Sequence, residues 1–428
     1  MGDKAVVPAS IPSIILTFLK IGCLGFGGPA GQIALMHRMI VEEKKWLDEN
    51  RFGHALSFCM LLPGPEAQQL ATYIGWILHG VKGGLIAGIL FVLPGALLIF
   101  ALSVFYVHAA ETTWLQGVLF GLKAAVVAIV IDALLRLCRR TLKSSAHYAL
   151  AILSYVAIAF FDVPFPLLVV LAGITGYGCF PVSTSEPVKM VQAKWSKLAA
   201  ALCFWSIIWL LPLASVYLLY GTGHILTAVS FFFSKLAVIT FGGAYAVLAY
   251  MSQAVVNEYH WLSTSQMLHA FGLAETTPGP LILVNQFVAF LAGFQHASDH
   301  APLMTASIAA LLCLWATFVP SFLFIFAFAP YVEQLRTNAR LSGALQAILS
   351  MVVGVVAYLA YWFALHVFFT SGRSLDHRMF HAYIPDIDSF QPDALILSLV
   401  ALILLVPLRL NMLLVLLLVT LLGVGIYH

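Results

Sequence analysis

The sequence predicts an all-α polytopic membrane protein made of two inverted-topology repeats, with broken or re-entrant helices and a linker transmembrane helix joining the copies. Three observations carry this prediction. Hydrophobic residues form 62% of the 428-residue chain and charged residues only 9%, against about 25% charged in soluble domains. One set of short motifs occurs twice in the same register. Equivalent loops of the two copies carry opposite Lys and Arg bias, which sets their orientation in a bilayer.

The composition puts most of the mass in hydrocarbon. A net charge of +3, scattered over short loops, excludes a nucleic-acid partner. The apolar stretch from Ile11 contains Lys20 and lacks a small-x-small cleavage site, so it reads as a retained first membrane segment. Six cysteines without a CxxC spacing read as small apolar packers, with neither a disulfide framework nor a metal site expected. No Walker-type phosphate loop is present, so an ATP-driven pump within one chain is unsupported.

The repeat sets the architecture. Phe26-Gly27-Gly28, Val41, Glu43, Trp46 and Pro63-Gly64-Pro65 return as Phe241-Gly242-Gly243, Val256, Glu258, Trp261 and Pro278-Gly279-Pro280. Lys20 matches Lys235 at the same offset of 215. An eleven-residue insertion raises the offset to 226, pairing Pro94 with Pro320 and Val127 with Val353. The chain therefore divides into a first repeat (1–180), a basic loop and linker helix (181–223) and a second repeat (224–428).

Loop charge orients the copies. Arg38, Lys44, Lys45 and Arg51 occupy 36–51, whereas the partner stretch 251–266 has no basic residue. Loop 108–113 has none, and its partner 333–340 has Arg336 and Arg340. Arg136, Arg139, Arg140 and Lys143 face a partner loop, 371–392, where Arg373 and Arg378 are outweighed by Asp376, Asp386 and Asp388. The bias reverses each time, so the copies are expected to be inverted. With the amino terminus cytoplasmic, stretches 11–41 and 52–80 are broken at Gly27-Gly28 and Pro63-Gly64-Pro65, where the backbone ladder is interrupted. Crossings at 84–107, 114–137, 146–163 and 166–180 lead to a basic loop with Lys189, Lys194 and Lys197. A helix at 198–220 then flips the second copy, and the carboxyl terminus ends outside.

Inverted repeats with broken helices are the pattern of alternating-access transporters, whose substrate sits between repeats. At a break, unpaired N–H groups and the positive dipole end face the gap and attract anions. Both Gly-Gly and both Pro-Gly-Pro breaks are therefore expected to converge on an oxyanion. Single motifs of this type also serve close packing or plain turns; their repetition in register favours the site.

Lys20 and Lys235 lie within apolar segments, where burial of a cation costs roughly 2.5–3.5 kcal/mol. They are expected to face the cavity and neutralise a dianion, the structural alternative being snorkelling to the interface. Lys123 lies inside its helix with site and structural roles evenly balanced. Glu66 follows Pro65 at an expected helix start, and Glu275 precedes Thr276, Thr277 and Pro278. Either carboxylate could carry a coupling proton, and Glu66 could equally cap its helix. Gln68, Gln69 and Thr72 flank one break, Asn285 and Gln286 the other. Asp132 and Arg136 form a structural i,i+4 pair, and Trp46 and Trp261 read as interfacial anchors. His377 with His381, and His296 with His300, fall short of a metal ligand set, so no metal or cofactor is expected.

The spacing of Gly27, Gly28, Val41, Trp46, Pro63, Gly64 and Pro65, repeated at Gly242, Gly243, Val256, Trp261, Pro278, Gly279 and Pro280, resembles the chromate ion transporter family in its long two-domain form. The resemblance implies a bacterial inner-membrane secondary transporter that exports chromate and confers resistance, and no enzyme activity. A sulfate-like oxyanion carrier or an anion channel of the same fold is the alternative. The expected partners are the oxyanion, the bilayer, a coupling proton and, optionally, a second copy of the chain.

Overall fold

A computed structural model of the chain describes residues 9–180, 195–241, 243–298, 301–331, 339–377 and 380–427. Lys189, Lys194, Gly242, Asp299, His300, Arg336 and Arg378 lie outside the described residues, as do the side chains of Asp376, His377 and His381. The protein is an all-α polytopic membrane protein. Among the described residues, five helices are long and apolar enough to cross a bilayer: Glu66–Ala109, Thr113–Thr141, Trp195–Tyr220, Pro302–Tyr331 and Ala339–Phe368.

The broken stretches form as short helices. Helix α1 (Ile11–Leu24) ends before the first Gly-Gly break and α2 (Gly28–His37) begins on it, with Gly27 left-handed at φ 88°. A π-helical turn (Arg38–Glu43) follows, then α3 (Glu49–Cys59). Helix α4 starts on Glu66 directly after Pro65 and continues to Ala109, but His79 and Gly80 are non-helical. Gly80, at φ 60° and ψ −151°, adopts a backbone open essentially to glycine alone. The chain reverses there, so Gly75 lies against Gly83, and Gly84 and Gly88 lie against Thr72. Limb 66–78 is thus folded back on limb 81–109 through glycines, the contact that lets membrane helices approach closely.

Two of the expected crossings form close to their expected bounds but are short for a bilayer. Helices α6 (Ser145–Phe161) and α7 (Phe165–Cys179) have 17 and 15 residues, about 25 and 22 Å against a hydrocarbon core of about 30 Å. Asp162 in the left-handed region, at φ 46°, and Pro164 end α6. The expected loop 371–392 is a difference. Gly372–His377 and Phe380–Pro385 pair there as an antiparallel hairpin, β1–β2.

The compact units do not follow the sequence repeats. The first comprises Met1–Ser103, Thr184–Ala244 and Thr277–Asn338, and the second Val104–Ser183, Tyr245–Thr276 and Ala339–His428. Each draws on both copies. The first contains α1 to α3, most of α4, the linker helix α8 (Trp195–Tyr220) and α9 (Ile225–Ile239), with α12 (Val284–Gln295) packed on α13 (Pro302–Phe328). Helix α8 buries only Leu213, as expected of a linker facing lipid. It meets α13 where Trp209 Nε1 donates to the Ala316 carbonyl at 3.2 Å and Trp315 Nε1 donates to the Trp209 carbonyl at 3.1 Å.

In the second unit, α5 (Thr113–Thr141) carries α11 (Thr264–Thr276), α14 (Ala339–Phe368), α15 (Pro392–Leu405) and α16 (Met412–Tyr427). The Asp132–Arg136 pair is present at 2.6 Å. Gly354 of α14 lies so close to α6 that a Cβ there would meet the Ala151 carbonyl and Ser154 Oγ, and stand 2.8 Å from Tyr155 N. Gly354→Val is expected to lower stability by about 3 kcal/mol or more through overpacking. A clear fall in melting temperature of the solubilised protein would register it; an unchanged melt would contradict this packing.

Local structure does repeat faithfully. The π-turn Arg38–Glu43 matches the π-turn Ala254–Glu258, and Lys45 and His260 both take positive φ, at 54° and 51°. Trp46 and Trp261 follow, their N–H groups donating to Ile40 and Val255 carbonyls at 2.9 Å. Both indoles are buried, at 3% and 5% exposure. Their burial differs from the exposed position at a bilayer interface that aromatic belts led to expect.

Candidate functional site

The breaks of one copy are closed by the breaks of the other. Gly64 N–H donates to the Thr240 carbonyl at 2.8 Å, and Gly279 N–H donates to the Gly25 carbonyl at 3.0 Å. Residues 64 and 279 are repeat equivalents, as are 25 and 240, so this is one interaction made twice with the copies exchanged. Gly64 and Gly279 sit at φ 123° and 94°, which a side chain rarely tolerates. Behind each turn lies the matching helix of the opposite copy. A Cβ on Gly64 would lie 3.1 Å from Ser321 Oγ, and Gly95 (the equivalent of Ser321) packs against Pro278 and Gly279. Reciprocal contacts of this kind are what a two-fold relation produces.

Gln32 adds a clamp on one side only. Its Nε2 donates to the Gly25 carbonyl at 3.2 Å and also to the Gly279 carbonyl, bridging the two breaks. Its Oε1 is buried and without a partner among the described residues. The equivalent residue is Val247, fully buried.

Around these breaks lies a small recess, partly open to its surroundings, within the first unit. Its walls are the starts of four helices. Pro29 and Gln32 come from α2, Pro65, Glu66 and Ala67 from α4, Gly243 and Ala244 from the start of α10 (Ala244–Gln253), and Pro280, Leu281 and Ile282 from the turn leading into α12. Thr240, at the end of α9, completes the lining. Neither Gly27 nor Pro280 supplies a side-chain cap, so first-turn N–H groups remain available there. Each helix start carries roughly +0.5 of a charge, and four together suit a small dianion.

Of the residues expected at the site, Pro65, Glu66, Gly243 and Pro280 line the recess. Gly27, Gly28, Pro63, Gly64, Pro278 and Gly279 shape the turns behind it. Gln68, Gln69, Thr277 and Asn285 are buried but do not line it. Both polar atoms of Gln68 and of Asn285 lack a hydrogen-bond partner among the described residues, while Gln69 Nε2 donates to the Pro63 carbonyl at 2.6 Å. Lys20 and Lys235 are both exposed and outside the lining. Lys20 lies on a broad exposed face of α1 with Leu16, Leu19 and Cys23, and Lys235 on a narrow exposed stripe of α9 with Phe231 and Val238.

The second unit holds Glu275 and Thr276 near the end of α11. Glu275 is buried and accepts from Tyr245 Oη at 2.9 Å. Thr276 Oγ1 donates to the Leu273 carbonyl at 2.7 Å, an ordinary helical back-bond. Lys123 Nζ donates to Ser265 Oγ at 2.5 Å in the same unit. Sequence reasoning missed Gln32 and Thr240. An amide in an apolar stretch just past the Gly-Gly break was the available signal for Gln32, and Thr240 was marked only by its position opposite Gly25.

The family model described as Chromate transporter matches residues 12–177 and 227–424. A chromate transport protein of Cupriavidus metallidurans is 31% identical over 349 residues, covering 81% of this chain and 79% of the relative. One from Pseudomonas aeruginosa is 30% identical, covering 82% and 80%. An uncharacterized transporter of Methanocaldococcus jannaschii is 26% identical, covering 85% and 87%. No solved structure gives a significant match.

Proposed function

The chain belongs to the chromate transporter family, and from that premise we propose that it carries chromate out of the cytoplasm across the bacterial plasma membrane by alternating access, and so confers chromate resistance. The observation that carries the proposal is the recess where four helix starts meet. Such ends stabilise an anion without a resident countercharge, and their origin in both copies suits a site that two inverted halves open alternately. The amino terminus is proposed to be cytoplasmic and the carboxyl terminus extracytoplasmic, following the loop charges. Chromate and sulfate share charge and tetrahedral shape, so sulfate is the cargo to set against it.

Lys20 and Lys235, each five residues ahead of Gly25 and Thr240, are proposed to act on the approach. An exposed ammonium neutralises an arriving dianion at a distance and leaves final coordination to the helix starts. The test is anion flux in inverted vesicles holding the full chain, comparing chromate with sulfate, molybdate and phosphate under imposed pH and voltage gradients. Saturable chromate flux is expected, with KM raised about tenfold or more in the Lys20→Gln, Lys235→Gln double variant. Ohmic currents would reject a carrier, and wild-type flux in the double variant would reject the role of the lysines.

A further inference from the structure

We propose that Glu66 is a tethered competitor of the transported anion: it must take up a proton before a dianion can occupy the recess, so each dianion bound brings in about one proton. The inference rests on the recess being the anion site. Among the described lining residues, Glu66 carries the one ionisable side chain. It stands on the first residue of α4, where its carboxylate draws on the helix start that an oxyanion would use. Four such ends total roughly +2. A dianion beside an ionised carboxylate would bring three negative charges to them, and protonation of Glu66 restores the match.

Gln32 points the same way independently. Its amide nitrogen is committed to two backbone carbonyls, which fixes its orientation and leaves the buried Oε1 of this lining residue without a partner among the described residues. That oxygen needs a donor. A dianion has no proton to give and neither has a carboxylate; a neutral Glu66 carboxyl on the same recess carries one. The surroundings of Glu66 hold little else that titrates. The lining residues from α2, α9, α10 and the 280–282 turn are not ionisable. Cys59 of α3 lies within the field of the carboxylate, and Lys235 is exposed on α9.

The balance is one carboxylate, one proton and one dianion going to a neutral carboxyl with the dianion bound, and the proton leaves when the anion does. The test uses the full chain in lipid nanodiscs, with sulfate as the main probe because it remains a dianion across roughly pH 6 to 8, and chromate as the second. Wild type is expected to take up close to one proton per sulfate, read with a pH dye in weak buffer, with Kd rising up to tenfold per pH unit. Glu66→Gln is expected to bind with no proton uptake and a flat pH profile. Anion binding by wild type without proton uptake, or uptake persisting in Glu66→Gln, overturns the inference. The wild-type proton count needs no variant, so it stands even if Glu66→Gln misfolds. Ala244→Leu, which fills the recess, separates the two readings: retained binding there, or binding of neither anion by wild type, overturns the recess as the site. Lost binding in Ala244→Leu with no proton uptake in wild type overturns Glu66 alone.

Discussion

Valine at position 64 will cut chromate flux by roughly 100-fold or more while the protein still reaches the membrane. Gly64 sits at φ 123°, and a Cβ there would stand 2.7 Å from Gln69 Nε2 and 3.1 Å from Ser321 Oγ. The strained backbone alone costs about 1–3 kcal/mol. Shifting the turn to relieve it breaks the Gly64 N–H bond to Thr240, worth about 1 kcal/mol more. None of this alters the long apolar helices that direct insertion. Flux into vesicles, normalised to protein in the membrane, checks the expectation. Gly279→Val should act alike, because Gly279 makes the equivalent bond to Gly25. Wild-type flux in both would mean that the crossed turns are dispensable.

The second large effect concerns the clamp. Gln32→Val gives the first copy the residue that the second already carries at Val247, which packs fully buried. The fold should therefore survive, with protein levels near wild type. The Gly279 carbonyl loses its donor from Gln32, a buried deficit of about 1–3 kcal/mol, and flux should fall about tenfold or more. Hydrogen exchange at Gly279 should rise in parallel, as its turn loosens. Unchanged flux and exchange would reduce Gln32 to a packing residue.

Much of this was legible in the chain because glycine and proline act through backbone rules that need no tertiary information. Pro65 followed by Glu66 announced a helix start, and α4 begins there. The doubled motifs announced two breaks per copy, and all four border one recess. Contacts between distant residues were not legible. Nothing near Gln32 says that its amide reaches Gly279, 247 residues away. Apolar segments also hide which side of a helix faces inward, so Lys20 and Lys235 were expected in the cavity but lie on exposed faces. Trp46 and Trp261 differ for another reason: each follows a π-turn and a positive-φ residue and is buried, and no simple periodicity encodes that. The interleaving of the copies into the two units depends on reciprocal long-range packing, which a motif offset does not specify.

The crossed turns bear on biogenesis. A ribosome adding about 5–20 residues per second needs roughly 10–50 s to reach Thr240 after Gly64, or Gly279 after Gly25. Through that interval the first copy waits in the bilayer with donors and acceptors that only later chain can satisfy. The insertion machinery must shelter it, and a transcript cut short before the second copy yields a half that cannot close. The crossed turns therefore close only once nearly two thirds of the chain has been made.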